Sequence, residues 1–381
     1  MIVFYFFLVC FLFSYLAYPA SLRWFYRNKK KASSDYKVTN FSEIHVLISA
    51  FNEEKIIQNT LEKLAQYAQN ASIYIASDGS NDQTDAIVKQ FILDKPNFYF
   101  VRYERIGKGN AINQLIVDFG LKKETSCFIF MDANIELNEH TIPSLMAGFV
   151  SPKIGIVGAS VLSSNTIQNT ESIYIQKENE IKYLEGALFG STIGVFGACF
   201  AMRAHLYELV PSHFITDDLF HTFQVINQKH EVVYSREAVV YEYITDDIAN
   251  EFKRKKRYAA GNFQIFFRFF HLLNPFKTSF GFIYSYWNHK IVRWFSPIVF
   301  LFVFLQSFLF ESQSLVFDWI NKMGIAILFY LGFNFLLYKL EFKPIFAKLF
   351  YFLAMNIAIL IGFFNYIKGI KSNVWNRSKR F

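Results

Sequence analysis

The chain has 381 residues, 53% of them hydrophobic with 47 Phe and 22 Tyr, and a formal charge of +8. That length accommodates one α/β domain of ordinary size plus several bilayer-length helices, and so aromatic a composition is heavy for a soluble enzyme and natural for one in lipid. Cys10, Cys127 and Cys199 stand apart, with no CxxC and no ligand spacing; this argues against a disulfide framework or thiolate metal site and reads them as small buried hydrophobes in a reducing compartment.

Residues Ile2 to Ala20 are almost wholly apolar and uncharged, long enough for one bilayer span. The positive charges (Arg23, Arg27, Lys29, Lys30, Lys31) follow the run instead of preceding it. That order predicts a retained transmembrane anchor over 1–22 with its N-terminus outside, rather than a signal peptide. Basic flanks mark the cytoplasmic side and attract anionic headgroups. Because the basic clusters border lipid segments, membrane lipids and not nucleic acid are the expected partners of the positive charge.

From Glu43 to about Gly158, strand-like and helix-like stretches alternate. Strands are predicted at Ile44 to Ala50, Ser72 to Ser77, Asn97 to Arg102 and Ser126 to Met131. Helices are predicted at Lys55 to Ala68, Thr84 to Leu93 and Gly109 to Phe119. Repeated βα units mean a mostly parallel sheet with helices on both faces. Ser160 to Tyr243 reads as less regular, ending in two short strands at Glu231 to Tyr234 and Ala238 to Tyr241. One cytoplasmic catalytic domain is therefore expected over 43–258. Gly261 to Phe282 is aromatic on most faces and broken by Asn274-Pro275, which suits an interfacial amphipathic region over 259–290; a core helix of the soluble domain is the alternative. Trp294 to Phe310, Met323 to Leu340 and Ile345 to Ile367 give three further spans within 291–367. A basic tail follows over 368–381. Four crossings would put both termini outside, while this tail asks to be inside.

Three acidic motifs punctuate the soluble part: Asp78-Gly79-Ser80, Asp132-Ala133-Asn134 and Thr216-Asp217-Asp218. The first two follow predicted buried strands, and carboxylates at the carboxyl ends of adjacent strands converge where open α/β sheets bind ligands. Hard oxygen ligands of this kind select Mg2+ or Mn2+. Taken singly, each motif also has a plain explanation. Asn52 with Glu53 and Glu54 could cap a helix, Asp78 could belong to a turn, and Thr216-Asp217-Asp218 could be a further cap. The stretch Arg105-Ile106-Gly107-Lys108-Gly109 invites a phosphate loop but lacks the GxxxxGK[ST] spacing. Asp132 and Asn134, two oxygen-bearing side chains at i and i+2, can both face a cation bridging a diphosphate, and an acid of the third motif can take a proton from an attacking hydroxyl.

The order strand-AFNEE, strand-DGSND, RxxGKGxAxN, strand-MDAN, VFGACFAMR, TDD resembles the family 2 glycosyltransferases, inverting enzymes of the GT-A fold, over about Glu43 to Gln264. The flanking spans match the membrane-bound branch of that family. The resemblance implies that Ala50, Phe51, Asn52, Glu53 and Asp78 hold the nucleoside of a nucleotide-sugar donor, usually uridine, with Lys108 near its phosphate or sugar. Asp132 and Asn134 occupy the place of the DxD pair that touches the donor and the metal. Phe196, Gly197 and Ala198 would line the acceptor side, and Asp218, with Asp217 beside it, matches the carboxylate that serves as base. Two departures stand out. Asn134 carries no charge where Asp is commoner, and the Gln-x-x-Arg-Trp of processive synthases corresponds here to Arg254-Lys255-Lys256-Arg257-Tyr258, without Gln or Trp. Arg254 and Arg257 share a helix face that could grip a diphosphate or an anionic headgroup. The expected activity is transfer from a UDP-sugar to a lipid-linked saccharide at the cytoplasmic membrane, for an exopolysaccharide, capsule or cell-envelope glycan. A processive synthase and a non-catalytic membrane scaffold remain the alternatives, and no feature of the sequence sets an oligomeric state.

Overall fold

In the computed structural model, residues 2–29, 38–164, 170–243, 247–310, 315–370 and 374 are described. Residues 165–169 and most of the basic tail lie outside them. The chain forms two units. One holds Met1–Pro19, Asp247–Phe263 and Trp287–Gly369; the other holds Ala20–Asp246, Gln264–Tyr286 and Ile370–Phe381.

The second unit is built on an eight-stranded sheet. Its first four strands, β1 (Glu43–Ala50), β2 (Ser72–Asp78), β3 (Phe98–Tyr103) and β4 (Ser126–Asp132), run parallel in the order β3-β2-β1-β4. Helices α3 (Ile57–Tyr67), α4 (Thr84–Phe91) and α5 (Lys108–Asp118) make the crossovers; α1 (Ile2–Leu12) and α2 (Tyr18–Asn28) precede β1 in the chain. Central strands need apolar residues on both faces, and β1 supplies them. Val46, Ile48 and Ala50 join Ile57, Leu61 and Leu64 in one core, while Leu47, on the opposite face, is also buried. Chain order reverses between β1 and β4, so the crevice at their carboxyl ends is the topological switch point of the sheet.

The later half of this unit is more regular than its sequence suggests. After β5 (Ile135–Leu137) and α6 (Thr141–Ala147) come β6 (Ile154–Ser163), the twenty-residue α7 (Thr170–Phe189), β7 (Cys199–Arg203), α8 (Asp217–Asn227) and β8 (Glu231–Glu242). β7 lies antiparallel between β4 and β6, which makes the sheet mixed. The two short strands predicted near the end are one strand. The pairing of β6 with β8 jumps from Ala159–Ser235 to Ser160–Val239, and this bulge absorbs Arg236, Glu237 and Ala238, including the charged pair that interrupts the apolar pattern.

Among the described residues, four helical stretches are long and apolar enough to cross a bilayer: Tyr5–Asn28, Phe280–Leu309, Leu315–Lys339 and Ala347–Ile367. They comprise α1 (Ile2–Leu12) and α2 (Tyr18–Asn28) joined by a π turn, then α10 (Phe280–Ser285) running through a π turn into α11 (Val292–Phe310), then α12 (Leu315–Lys339) and α13 (Ala347–Ile367). Within the first unit, Arg293 donates to the carbonyl of Ser14 at 3.1 Å, and the rings of Phe11 and Phe300 meet edge-on at 5.0 Å. Gly362 packs so closely that a Cβ there would stand 2.5 Å from that of Ala259. Large apolar side chains such as Phe302, Leu309, Phe329 and Leu328 remain exposed, as a lipid-facing surface requires.

The stretch expected at the headgroups is helical as far as Arg268, within α9 (Ile248–Arg268), and the second candidate span already begins at Phe280. Phe263, Ile265, Phe266, Phe269 and Leu272 are buried in protein, and Phe267, Phe270 and Phe276 are exposed.

Candidate active site

The loop after β1 and the loop after β2 are laced together. The backbone N–H of Asn52 donates to Ser80 Oγ at 3.2 Å and that of Glu53 to Thr84 Oγ1 at 2.7 Å, while Asn52 Oδ1 accepts from the N–H of Asn81 at 2.9 Å. Asn52 holds a left-handed φ of 55°, which asparagine tolerates better than most residues. Helix capping is not its role: α3 starts only at Ile57 and has no acid in its first turn.

Asp78, at the end of β2, is 1% exposed and turns its carboxylate toward the next loop. One oxygen accepts the N–H groups of Ile106 and Gly107 at 2.8 and 2.9 Å, and the other accepts from the Arg105 guanidinium. That guanidinium lies over the Phe51 ring, 3.3 Å from its centre. Gly107, at φ 91°, then turns the chain into α5, so Asp78 fixes the turn that presents Lys108.

Lys108 is the hub. Its Nζ donates to Asp132 Oδ1 at 2.7 Å and stands 3.5 Å from Asp217 Oδ2, so one ammonium joins the end of β4 to the first turn of α8. Burial alone would lower its pKa, but Asp132, Asp217 and Asp218 outweigh that and hold it above the ordinary lysine range. The N–H of Asp132 donates to Ala198 O at 3.0 Å, which brings the expected acceptor-side segment alongside. Gly197 lies against Asp218: a Cβ added to it would stand 3.3 Å from Asp218 Oδ2.

The two acids of α8 are split by their surroundings. Burial raises Asp217, but Lys108, His221 and backbone N–H groups prevail and its carboxyl sits below the usual value. Asp218 is pushed up to about 6, by burial first and by the Asp217 charge second. Neighbouring carboxylates pushed in opposite directions are a pattern that acid–base sites share with buried ion-pair networks. Sequence reasoning passed over His221. It stacks on Phe130 at 5.1 Å between centres, and burial lowers it to about 4, against the pull of Asp217. Thr216 makes no capping bond, and its hydroxyl is buried without a partner.

Among the described residues, no three His, Cys, Asp or Glu side chains gather as a metal cage. Asp132 offers a carboxylate, and Asn134 has a buried side-chain nitrogen with no partner, an amide position that a ligand oxygen or, with the amide turned over, a cation would complete. This set fits Mg2+ or Mn2+, which bind through one or two protein oxygens with the rest from substrate phosphates and water. Arg254 and Arg257 belong to the other unit. There Arg254 pairs with Glu251 at 3.0 Å, and Arg257 lies over the Tyr258 ring at 4.7 Å.

Residues 128–364 match the family model described as Glycosyl transferase family group 2, and residues 45–210 match that described as Glycosyl transferase family 2. The chain belongs to the family 2 glycosyltransferases. Its relatives include a poly-beta-1,6-N-acetyl-D-glucosamine synthase of Staphylococcus epidermidis, 24% identical over 308 residues that cover 76% of this chain and 71% of that protein. They also include a 4,4'-diaponeurosporenoate glycosyltransferase of Staphylococcus haemolyticus, 31% identical over 108 residues, 28% of each chain. Among solved structures, a mannosyltransferase from Pyrobaculum calidifontis in complex with GDP-Man and Mn2+ superposes with a TM-score of 0.65 at 15% identity, covering 94% of this chain and 97% of that one. The fold is GT-A. This family 2 glycosyltransferase therefore carries its acids where a GT-A sheet opens, together with helices of membrane-spanning length.

Proposed function

We propose that the protein is a divalent-cation-dependent, inverting glycosyltransferase of the cytoplasmic membrane. It transfers a sugar from a UDP-sugar to a hydroxyl of a lipid-linked saccharide during exopolysaccharide or cell-envelope glycan synthesis. The observation that carries this is Lys108 bridging Asp132 and Asp217, with Asp218 beside them and raised toward neutrality. A base that titrates near 6 is ionised at neutral pH yet remains basic enough to accept a hydroxyl proton.

In this mechanism the acceptor hydroxyl is set against Asp218, on the side lined by Phe196, Gly197 and Ala198. Asp218 Oδ takes its proton as the hydroxyl oxygen attacks the anomeric carbon opposite the leaving nucleoside diphosphate, and the anomeric configuration inverts. Lys108 supplies positive charge to that leaving group. A bound Mg2+ or Mn2+, held by Asp132 and Asn134, would supply further charge stabilisation to the same diphosphate. Ala50, Phe51, Asn52 and Glu53 form the nucleoside side of the site, and Asp78 acts on the donor by fixing the turn before Lys108. Asp217 stays ionised and keeps Lys108 directed between the two halves of the site. The basic flank after the first span (Arg23, Arg27, Lys29) supports a cytoplasmic catalytic unit.

The Staphylococcus epidermidis relative, named as a polymer synthase, favours a second possibility, processive addition. Product length at limiting acceptor separates the two. The main test is to incubate purified protein in detergent with a panel of nucleotide sugars and a saccharide-lipid acceptor, with and without EDTA. Release of UDP that needs the cation, and a product of inverted configuration, is the expected result. Cation-independent release, or retention of configuration, would overturn the proposal.

A further inference from the structure

α7 carries a row of buried polar groups that the chemistry above does not use. Glu178, Lys182 and Glu185 are 3%, 3% and 0% exposed, although each is a residue type that normally reaches water. Lys182 and Glu185 face the segment 191–197, which leads into the acceptor side. Glu185 accepts the N–H of Ile193 at 2.9 Å, and the carbonyl of Lys182 accepts the Thr192 hydroxyl at 2.9 Å. The Lys182 ammonium donates to the carbonyl of Gly194, where φ is 85°, and stands 4.4 Å from the centre of the Phe196 ring. The same segment is tied to α8, because the N–H of Val195 donates to Thr222 Oγ1 at 3.2 Å and that hydroxyl donates to Asp218 O at 2.9 Å. Gly197 at its end lies beside the Asp218 carboxylate, with room for no more than a tight methyl between them.

We propose that Lys182 is a positioning residue for sugar transfer: its buried ammonium, bound to Gly194 and set over Phe196, fixes the wall against which Asp218 and the acceptor are placed. The inference rests on Asp218 being the base. Burying an ammonium is expensive, so a lysine kept here without a catalytic proton of its own is explained by what its charge and its tether hold in place. The groups facing Asp218 are Asp217 from its own helix, Lys108 from α5 with Asp132 beyond it, and Lys182 from α7 with Glu178 and Glu185 along the same face. Lys108 and Lys182 oppose the rise of the Asp218 carboxyl.

The test uses the full chain in detergent and compares Lys182→Met and Lys182→Arg with wild type for UDP binding, donor KM, kcat and the acid limb of the kcat profile. For Lys182→Met we expect kcat to fall about 10- to 100-fold, with UDP affinity and donor KM within about threefold. The acid limb should move up, because a positive charge that favoured the Asp218 carboxylate is gone. Lys182→Arg should return the limb to its original position. If the Met variant does not fold, Lys182→Gln keeps a donor for Gly194 while removing the charge, and the limb must still rise. A kcat within twofold of wild type, an unmoved limb, or loss of folding or UDP binding in both uncharged variants would overturn the proposal. Asp218→Asn measured in parallel separates the two ideas: full activity in that variant refutes the base assignment itself.

Discussion

Replacing Gly197 by alanine asks whether transfer depends on where the Asp218 carboxylate sits. Gly197 does not have a positive φ, so its backbone accepts a side chain. The new methyl would meet Asp218 Oδ2 at 3.3 Å, Cγ at 3.4 Å and Cβ at 3.5 Å, closer than relaxed van der Waals contact for the first two. The carboxylate must then yield by about 0.3–0.5 Å; since a misplacement of about 1 Å costs roughly 100-fold, kcat should fall about four- to tenfold, on the order of 0.8–1.4 kcal/mol of barrier. Stability should change little, because a Gly→Ala gain of about 0.4–1 kcal/mol from the unfolded chain offsets the contact. Steady-state kinetics with a saturating donor, alongside thermal melts in the same detergent, separates the two effects. An unchanged kcat, or a loss that follows the melting temperature, would refute the placement of Gly197 against the proposed base.

Further outcomes follow from the same geometry. The Asp218 carboxyl is raised from 3.8 to about 6, so its contribution to stability is present below about pH 4 and lost as pH rises through 6. Asp218→Asn should therefore be inactive yet more stable than wild type at pH 7.5, by on the order of 1–2 kcal/mol, with the gain vanishing by pH 4 in denaturation experiments. An advantage that persists at pH 4 would contradict this. Lys108→Met removes a charge-assisted bond to Asp132 and should raise donor KM about 10- to 100-fold, read from initial rates at fixed cation. Asn134→Asp adds a charged oxygen at the proposed cation site and should lower the half-saturating Mn2+ concentration about tenfold in a titration after chelation. An unchanged requirement would remove Asn134 from the site.

The parallel half of the sheet was legible because β1, β2 and β4 are buried on both faces and spell mostly apolar runs, with Asp78 and Asp132 ending β2 and β4. The three acidic motifs read the same way: each stops an apolar run or opens a helix, which is visible locally. Other features carry no local signal. β7 hides within Val195 to Arg203, where a turn at Gly197-Ala198 precedes five buried residues, and its antiparallel insertion depends on pairing with distant strands. α7 puts Glu178, Lys182 and Glu185 at helical spacing, a pattern that in isolation describes a solvated face; the packing of α7 on β6 and β8, with the segment 191–197 over Lys182 and Glu185, makes them interior. Asp78 reads as a ligand contact at a strand end, and its engagement with Arg105 and the turn before Lys108 appears only once β3 and α5 are in place. The segment from Gly261 onward illustrates the limit of periodicity. Phe263, Ile265, Phe266 and Phe269 would look the same whether they met lipid or protein, and they meet protein.

The central claim is that Asp218 removes the acceptor proton in a site assembled around Lys108, Asp132 and Asp217. The most direct measurement is UDP release from a UDP-sugar by wild type and by Asp218→Asn in the presence of Mn2+ and a saccharide-lipid acceptor, with UDP affinity determined for both. The account predicts that the variant binds UDP within about threefold of wild type while acceptor-dependent release falls at least about 1,000-fold. Acceptor-dependent release at the wild-type rate would contradict it.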